Sequence, residues 1–281
     1  MTGPSADTLR LLYAGSLDSL LRQDLVPLFE RLTGYHCRGR AGGSRDWALQ
    51  LRTGAVEADI LLSADAEVIE TELVSSAIVQ WHLTFATNAL VLAYNDPPSR
   101  AEIDRAARGE LPLADLLRAG LRLGRPDPDL DPKGYRSLFA AQLLERHLNL
   151  PGWAAQALGD PHNPEQIRPA ADLIPLLKHG SLDLIFAYRS QAVEECLPFI
   201  PLPDEANLGS PVQAEAYARA TYRCSDGTVY HGALITYAAA LLLAGLRSSA
   251  AAAFLIFLGS TTARDALTRH GFGPAYELTA R

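Results

Sequence analysis

A chain of 281 residues with a formal net charge of −7 exceeds the usual size of a single core and predicts two compact lobes. The acidic balance excludes nucleic acid as the main partner, because neutralising phosphates requires a basic surface. Three cysteines, Cys37, Cys196 and Cys224, are odd in number and lack a CxxC spacing, so neither a disulfide framework nor a zinc site is indicated.

From the N-terminus, residues 1–8 are short and polar and carry no export signal. The chain is therefore either cytoplasmic or begins after an export segment. Residues 9–13 (LRLLY) read as a strand, 14–16 as a tight turn, and 17–34 (LDSLLRQDLVPLFERLTG) as a helix with apolar residues at helical spacing and Ser16 as its expected N-cap. The unit then repeats. Residues 36–40 form a strand, 41–44 (AGGS) a turn and 45–53 a helix; residues 58–62 (ADILL) form a third strand that ends in Ser63, Ala64 and Asp65 before a helix near Ala66. Strand, small residue, serine and helix, three times over, predict an α/β arrangement on a parallel sheet. Ligands of such sheets bind at the carboxyl ends of the strands.

Residues 81–94 (WHLTFATNALVLAY) are β-prone over a length unusual for one strand, and read as the passage from the first lobe to the second. The second lobe is expected to hold a helix near 112–119, a strand at 121–124, a loop and helix from 124 to 147, a helix near 173–179 and a strand at 182–188. Residues 196–202 and 214–223 read as the return path. The domain expectation is residues 9–86 for the first lobe, 87–210 for the second and 211–281 for the return. Two crossings without a low-complexity linker imply a hinge, with a ligand cleft between the lobes. Residues 232–246 are apolar but too short to span a membrane comfortably, and the alanine-rich run to residue 258 reads as a packed helix.

Residues 124–137 (GRPDPDLDPKGYRS) carry three prolines and three aspartates, which forbid a helix until the apolar run that follows. The loop delivers its last residues onto a helix N-terminus, where free N–H groups and the helix dipole favour an anion. No catalytic constellation is legible: there is no GxSxG, GxGxxG or P-loop signature, and the seven histidines lack metal-ligand spacing. No enzyme activity, cofactor or resident metal is expected. What recurs is serine at helix starts. Ser16, Ser44 and Ser63 each suit an N-cap taken singly, but at the ends of successive strands they converge on one edge. A tetrahedral oxyanion offers only acceptors, so hydroxyl and amide donors suffice to bind it. Tyr188, at the end of a predicted strand, is a further hydroxyl donor or a core tyrosine, and Asp131 suits a turn or cap.

Six segments, AGSL (14–17), AGGS (41–44), ADILLSAD (58–65), WHLTFATNALVLAY (81–94), GRPDPDLDPKGYRS (124–137) and DLIFAYRS (183–190), in this order, resemble the molybdate/tungstate-binding proteins of ABC importers, in particular the archaeal-type branch. The resemblance spans residues 9 to about 276. It implies a type II periplasmic-binding-protein fold of two α/β lobes closing on an oxyanion, a permease as membrane partner, a monomer, and a location outside the cytoplasmic membrane, with or without a lipid anchor. By motif position it implies Ser16 and Ser44 as ligands through hydroxyl and N–H, Ser63 or Ala64 through backbone N–H, and from the second lobe Asp131, the amides around Lys133 and Gly134, and Tyr188. The motif departs from the family at two places. Family members carry a glutamate just before the tyrosine, which with the loop aspartate expands the metal to six-coordination; here that position is Ala187. Lys133 stands where a small residue or cysteine is usual. With one carboxylate the resemblance implies a tetrahedral anion, molybdate or tungstate first, with sulfate and phosphate as further candidates. A cytoplasmic ligand-sensing domain of the same fold is the alternative.

Overall fold

A computed structural model describes residues 8–96, 98 and 100–280. Its strands are β1 (Thr8–Ala14), β2 (His36–Gly42), β3 (Ile60–Ser63), β4 (Trp81–Asn88), β5 (Leu90–Ala93), β6 (Leu123–Gly124), β7 (Leu184–Tyr188), β8 (Phe199–Pro201), β9 (Thr221–Arg223), β10 (Val229–His231), β11 (Ile235–Leu241) and β12 (Gly273–Ala280). The chain divides into two compact units, residues 1–87 with 235–281, and residues 88–234.

The first unit is built on a six-stranded sheet of order β12-β4-β11-β3-β1-β2. β1 runs parallel to β2 and β3, whereas β11 is antiparallel to β3 and β12 to β4. The sheet is therefore mixed, not parallel throughout as the sequence pattern suggested. The parallel triplet is the part made by strand–turn–helix units; the later strands arrive from the far end of the chain. Residues 18–33 are helical throughout, but the stretch Leu21–Leu25 is a π-helix. Pro27 lies just beyond it, and a proline withholds one N–H from the helical ladder, which favours a widened turn. The helix ends at Gly34 (φ +77°), whose N–H bonds the Glu30 carbonyl, a left-handed cap that glycine adopts without strain. β11 lies inside this sheet, and the helix Ser249–Leu258 buries Phe254, Phe257 and Leu258. No single helix among the described residues is long and apolar enough to cross a membrane.

The second unit holds a four-stranded sheet of order β6-β7-β5-β8, with β6 parallel to β7 and β5 antiparallel to both its neighbours. β8 and the hairpin β9–β10 belong to this unit, so the return to the first unit falls at Ile235 and not at residue 211. Side chains hold the hairpin there. Gln142 on the helix Pro132–His147 exchanges two hydrogen bonds with the Thr221 backbone (2.9 and 3.0 Å), and the Tyr222 hydroxyl donates to Asp129 (2.6 Å).

Both units use the same fastening at the start of a parallel strand. Asp59, just before β3, accepts from the backbone N–H of Arg10 (2.7 Å) and is gripped by its guanidinium (2.8 and 3.2 Å). Asp183, just before β7, accepts from the backbone N–H of Arg122 (2.9 Å) and from its guanidinium (2.6 and 2.9 Å). Each carboxylate is buried, and each ties two neighbouring strand starts together at the edge opposite the serine-bearing ends.

Candidate oxyanion site

In the first unit the register pairs Ala14 with Gly42 across β1 and β2, and Tyr13 with Leu62 across β1 and β3. The residues that follow, Ser16, Ser44 and Ser63–Ala64, therefore leave three adjacent parallel strands at their carboxyl ends. None of the three serines caps its helix by its side chain. The N-cap positions are Ala14 ahead of the short 3-10 turn Gly15–Leu17, Gly43 ahead of the helix Ser44–Arg52, and Asp65, whose carboxylate accepts from the Glu67 N–H. The expectation of Ser16 as an N-cap is corrected accordingly. Freed from capping, the hydroxyls have other tasks.

The Ser44 Oγ accepts a hydrogen bond from the Ala64 N–H (3.0 Å), which leaves its own proton to give. The Ser16 Oγ is exposed and accepts from the Tyr237 hydroxyl (3.3 Å), on the buried strand β11. Ser63 is fully buried, and its hydroxyl closes on its own turn, donating to the Asp65 carbonyl (2.6 Å) and accepting from the Asp65 N–H (3.1 Å). The Ala64 amide, expected as a free donor, is thus engaged with Ser44, and the Ser63 hydroxyl with its own loop. Two residues outside the sequence expectation position this edge. The Trp47 indole donates to the Tyr13 carbonyl (3.3 Å) and lies against Gly42, where a Cβ would stand 2.6 Å from the ring. Tyr237 stacks edge-on against Phe272 (5.1 Å between ring centres).

In the second unit β6 and β7 are parallel neighbours, so the loop after Gly124 and the residues from Tyr188 onward leave the sheet on one side. Asp131 is the N-cap of the helix Pro132–His147, its Oδ1 accepting from the Lys133 N–H (2.7 Å). The Gly134 N–H bonds the Asp131 carbonyl (2.8 Å). The amides of Lys133 and Gly134, expected as free donors, are therefore both spent inside the loop: an aspartate at this spacing reaches the orphan N–H before any ligand can. Gly134 is demanded by packing, since a Cβ there would lie 2.6 Å from the Asp127 carbonyl oxygen and 2.7 Å from that of Pro126.

Side chains supply the positive charge instead. Lys133 is only 5% exposed; its ammonium donates to the Gln191 Oε1 (3.2 Å) and stands 5.9 Å from the centre of the Tyr188 ring. Burial pulls its pKa below the usual lysine value, opposed by Asp131. The Arg136 guanidinium donates to the Tyr188 hydroxyl (2.7 Å) and lies 5.8 Å from the same ring. Ala187, on the strand beside Tyr188, is fully buried and brings no charge. Ser190 bonds the Asn88 side chain (2.7 Å), which fixes the helix Arg189–Glu194 to the start of the unit. Arg136 and Gln191 were not among the expected site residues, although Arg136 is part of the GYR motif that marked the loop.

Beneath the loop, Arg125 is fully buried; it donates to the Gln166 side chain and the Asp160 carbonyl, and its Nη1 has no hydrogen-bond partner among the described residues. Burial lowers its pKa to about 10 against the pull of Asp127, Tyr222 and Asp160. Asp127, Asp129 and His162 place one ligand atom each within 4.8 Å of one another, a grouping that sequence spacing did not reveal. Asp129 is already engaged: it accepts from the Ser225 N–H (3.3 Å), the Tyr222 hydroxyl and the His162 ring (3.1 Å). These bonds, Ser225 and Tyr222 foremost, hold its carboxyl well below the usual carboxylate range. A depressed folded-state pKa stabilises above the unfolded value of about 4 and is lost as pH falls below it. The melting temperature of Asp129→Asn is therefore expected to lie below wild type at neutral pH, with the gap closing toward about pH 2. A gap independent of pH would show that the carboxylate charge does not hold the hairpin.

Comparison with known proteins gives the family and the fold. Residues 9–273 match the family model described as bacterial extracellular solute-binding protein. A Haloferax volcanii protein, provisionally named an ABC transporter molybdenum-binding protein, is 36% identical over 271 residues, covering 96% of this chain and 83% of its own length. The molybdate/tungstate-binding protein WtpA of Thermococcus kodakarensis is 30% identical over 222 residues, covering 72% of this chain and 62% of its own. Among solved structures, the periplasmic molybdate-binding protein of Azotobacter vinelandii superposes with a TM-score of 0.56 at 17% identity, over 94% of this chain and 98% of its own. At that identity the likeness speaks for the fold, that of the type II periplasmic binding proteins.

Proposed function

Because the chain belongs to the bacterial extracellular solute-binding protein family, we propose that it captures a small tetrahedral oxyanion, molybdate or tungstate, and delivers it to the permease of an ABC importer. The names of its relatives point to that ligand class. The observation that carries the reading is the hydroxyl of Ser44, turned by the Ala64 amide so that its oxygen accepts within the protein (3.0 Å) and its proton is left to donate. The first unit contributes the hydroxyls of Ser16 and Ser44, held by Tyr237 and Ala64. Ser63 shapes the turn beside them. The second contributes Tyr188, whose oxygen accepts from Arg136 (2.7 Å), together with Lys133 and Arg136; Asp131 and Gly134 build the loop that presents them. Every group so placed is a donor, which suits a fully deprotonated XO4 anion.

Calorimetric titration with molybdate, tungstate, sulfate and phosphate tests the reading, and absence of binding to all four would sink it. Ser44→Ala is expected to weaken binding by on the order of 1.5–3 kcal/mol, the worth of a hydrogen bond to a charged acceptor. Its melting temperature without ligand should change little, since the Ala64 amide is only partly buried. Undiminished affinity in that variant would remove Ser44 from the site.

A further inference from the structure

Lysine is seldom buried without a carboxylate partner, yet Lys133 is 5% exposed and its one hydrogen bond runs to the neutral side chain of Gln191. The ammonium has three donors, and two of them have no partner among the described residues. Among the described residues the carboxylate acting on it is Asp131, whose Oδ1 is committed to the Lys133 amide. Tyr188 is flanked by this ammonium and by the Arg136 guanidinium, while the strand position beside it, Ala187, carries no charge. The second unit therefore presents two cations beside one tyrosine ring, with an ammonium kept largely dry.

We infer that Lys133 is the charge-reading residue of this protein: it makes the site select a doubly charged tetrahedral oxyanion over a singly charged one of the same shape. The inference rests on the oxyanion reading given above. A buried ammonium with two of its three donors unfilled is costly alone and is compensated when a dianion arrives; a monoanion compensates it less. Hydroxyl donors, by contrast, respond to acceptor oxygens and distinguish charge weakly. The charge preference therefore belongs to Lys133, and the shape preference to the serines and tyrosine.

Tungstate and perrhenate, tetrahedral anions of similar size carrying two charges and one, separate the two effects. The purified wild-type chain is expected to bind tungstate more tightly than perrhenate. Lys133→Met, which keeps the length of the side chain and removes its charge, is expected to lose at least about tenfold in tungstate affinity, the loss typical of a charge-assisted hydrogen bond, while perrhenate affinity changes much less. The ligand-free melting temperature should hold or rise, because a buried charge has been removed. Lys133→Gln, which retains a donor without the charge, should show the same narrowing of the tungstate-to-perrhenate ratio. An unchanged ratio in both variants, with wild type binding tungstate, overturns the inference and leaves the oxyanion reading standing. Equal loss of both anions overturns it as well, marking Lys133 as structural support. Failure of the wild type to bind any tetrahedral oxyanion overturns the reading beneath it.

Discussion

Gly134→Ala is expected to disable the loop proposed for anion binding in the second unit. The added Cβ would meet the carbonyl oxygens of Asp127 and Pro126 at 2.6 and 2.7 Å, distances that real methyl groups do not tolerate. Both obstacles are backbone atoms, and the loop that carries them contains Pro126 and Pro128, whose locked φ angles leave it little room to yield. Overpacking of this kind costs about 1–3 kcal/mol or more, and the accommodation must shift the segment that carries Asp131, Lys133 and Arg136. Anion affinity should therefore fall by far more than stability does. Gly15→Ala is the control: its Cβ would meet nothing within 4 Å, so both melting temperature and affinity should stay close to wild type. Thermal melting and calorimetry on the pair decide the matter, and a Gly134→Ala protein that binds normally would mean the loop does not depend on that close approach.

Arg122→Ala is expected to be the most destabilising single change considered. Asp183 is almost fully buried and meets Arg122 through two guanidinium bonds and one backbone bond. Removing the arginine side chain takes two charge-assisted hydrogen bonds from a buried carboxylate, for which losses of about 3–5 kcal/mol are typical. Removing the carboxylate instead, in Asp183→Ala, leaves an arginine that is already half exposed and can return to water; the remaining cost is chiefly the orphaned Arg122 N–H, about 1–3 kcal/mol. The order of the two variants in urea-melt stability is thus the informative quantity. If Asp183→Ala proves the worse, the pair is held by the amide and the guanidinium contributes little. The same ordering should hold for Arg10→Ala and Asp59→Ala in the first unit, where the geometry recurs with an arginine side chain 36% exposed.

These fastenings show what a linear reading misses. ADILL and LDLIF carry the same acid–apolar opening, but their arginine partners lie 49 and 61 positions away, beyond any local pattern. The same holds for the hairpin β9–β10. Residues 214–223 were expected to leave the second lobe, because a β-prone run late in the chain has no local mark of the sheet it joins. Gln142 and Asp129, both distant in sequence, hold it in the second unit.

What the chain could announce by itself was whatever is written in short-range chemistry. Strand–turn–helix units marked the first sheet's parallel triplet and six ordered motifs marked the family, whereas the helix expected from Leu138 begins at Pro132, because a proline is tolerated in the first turn where its missing N–H has no intrahelical partner. These features depend on neighbours within a few residues. Tertiary structure alone decided which donors remain free. A serine beside a helix start looks the same in sequence whether its hydroxyl caps, closes on its own turn as Ser63 does, or accepts from a distant amide as Ser44 does. The same is true of Lys133, a loop lysine by composition, which packing buries beside Tyr188 and Gln191. A hydrogen bond is satisfied by whichever partner is nearest in space, and for these groups that partner lies on another strand or another helix.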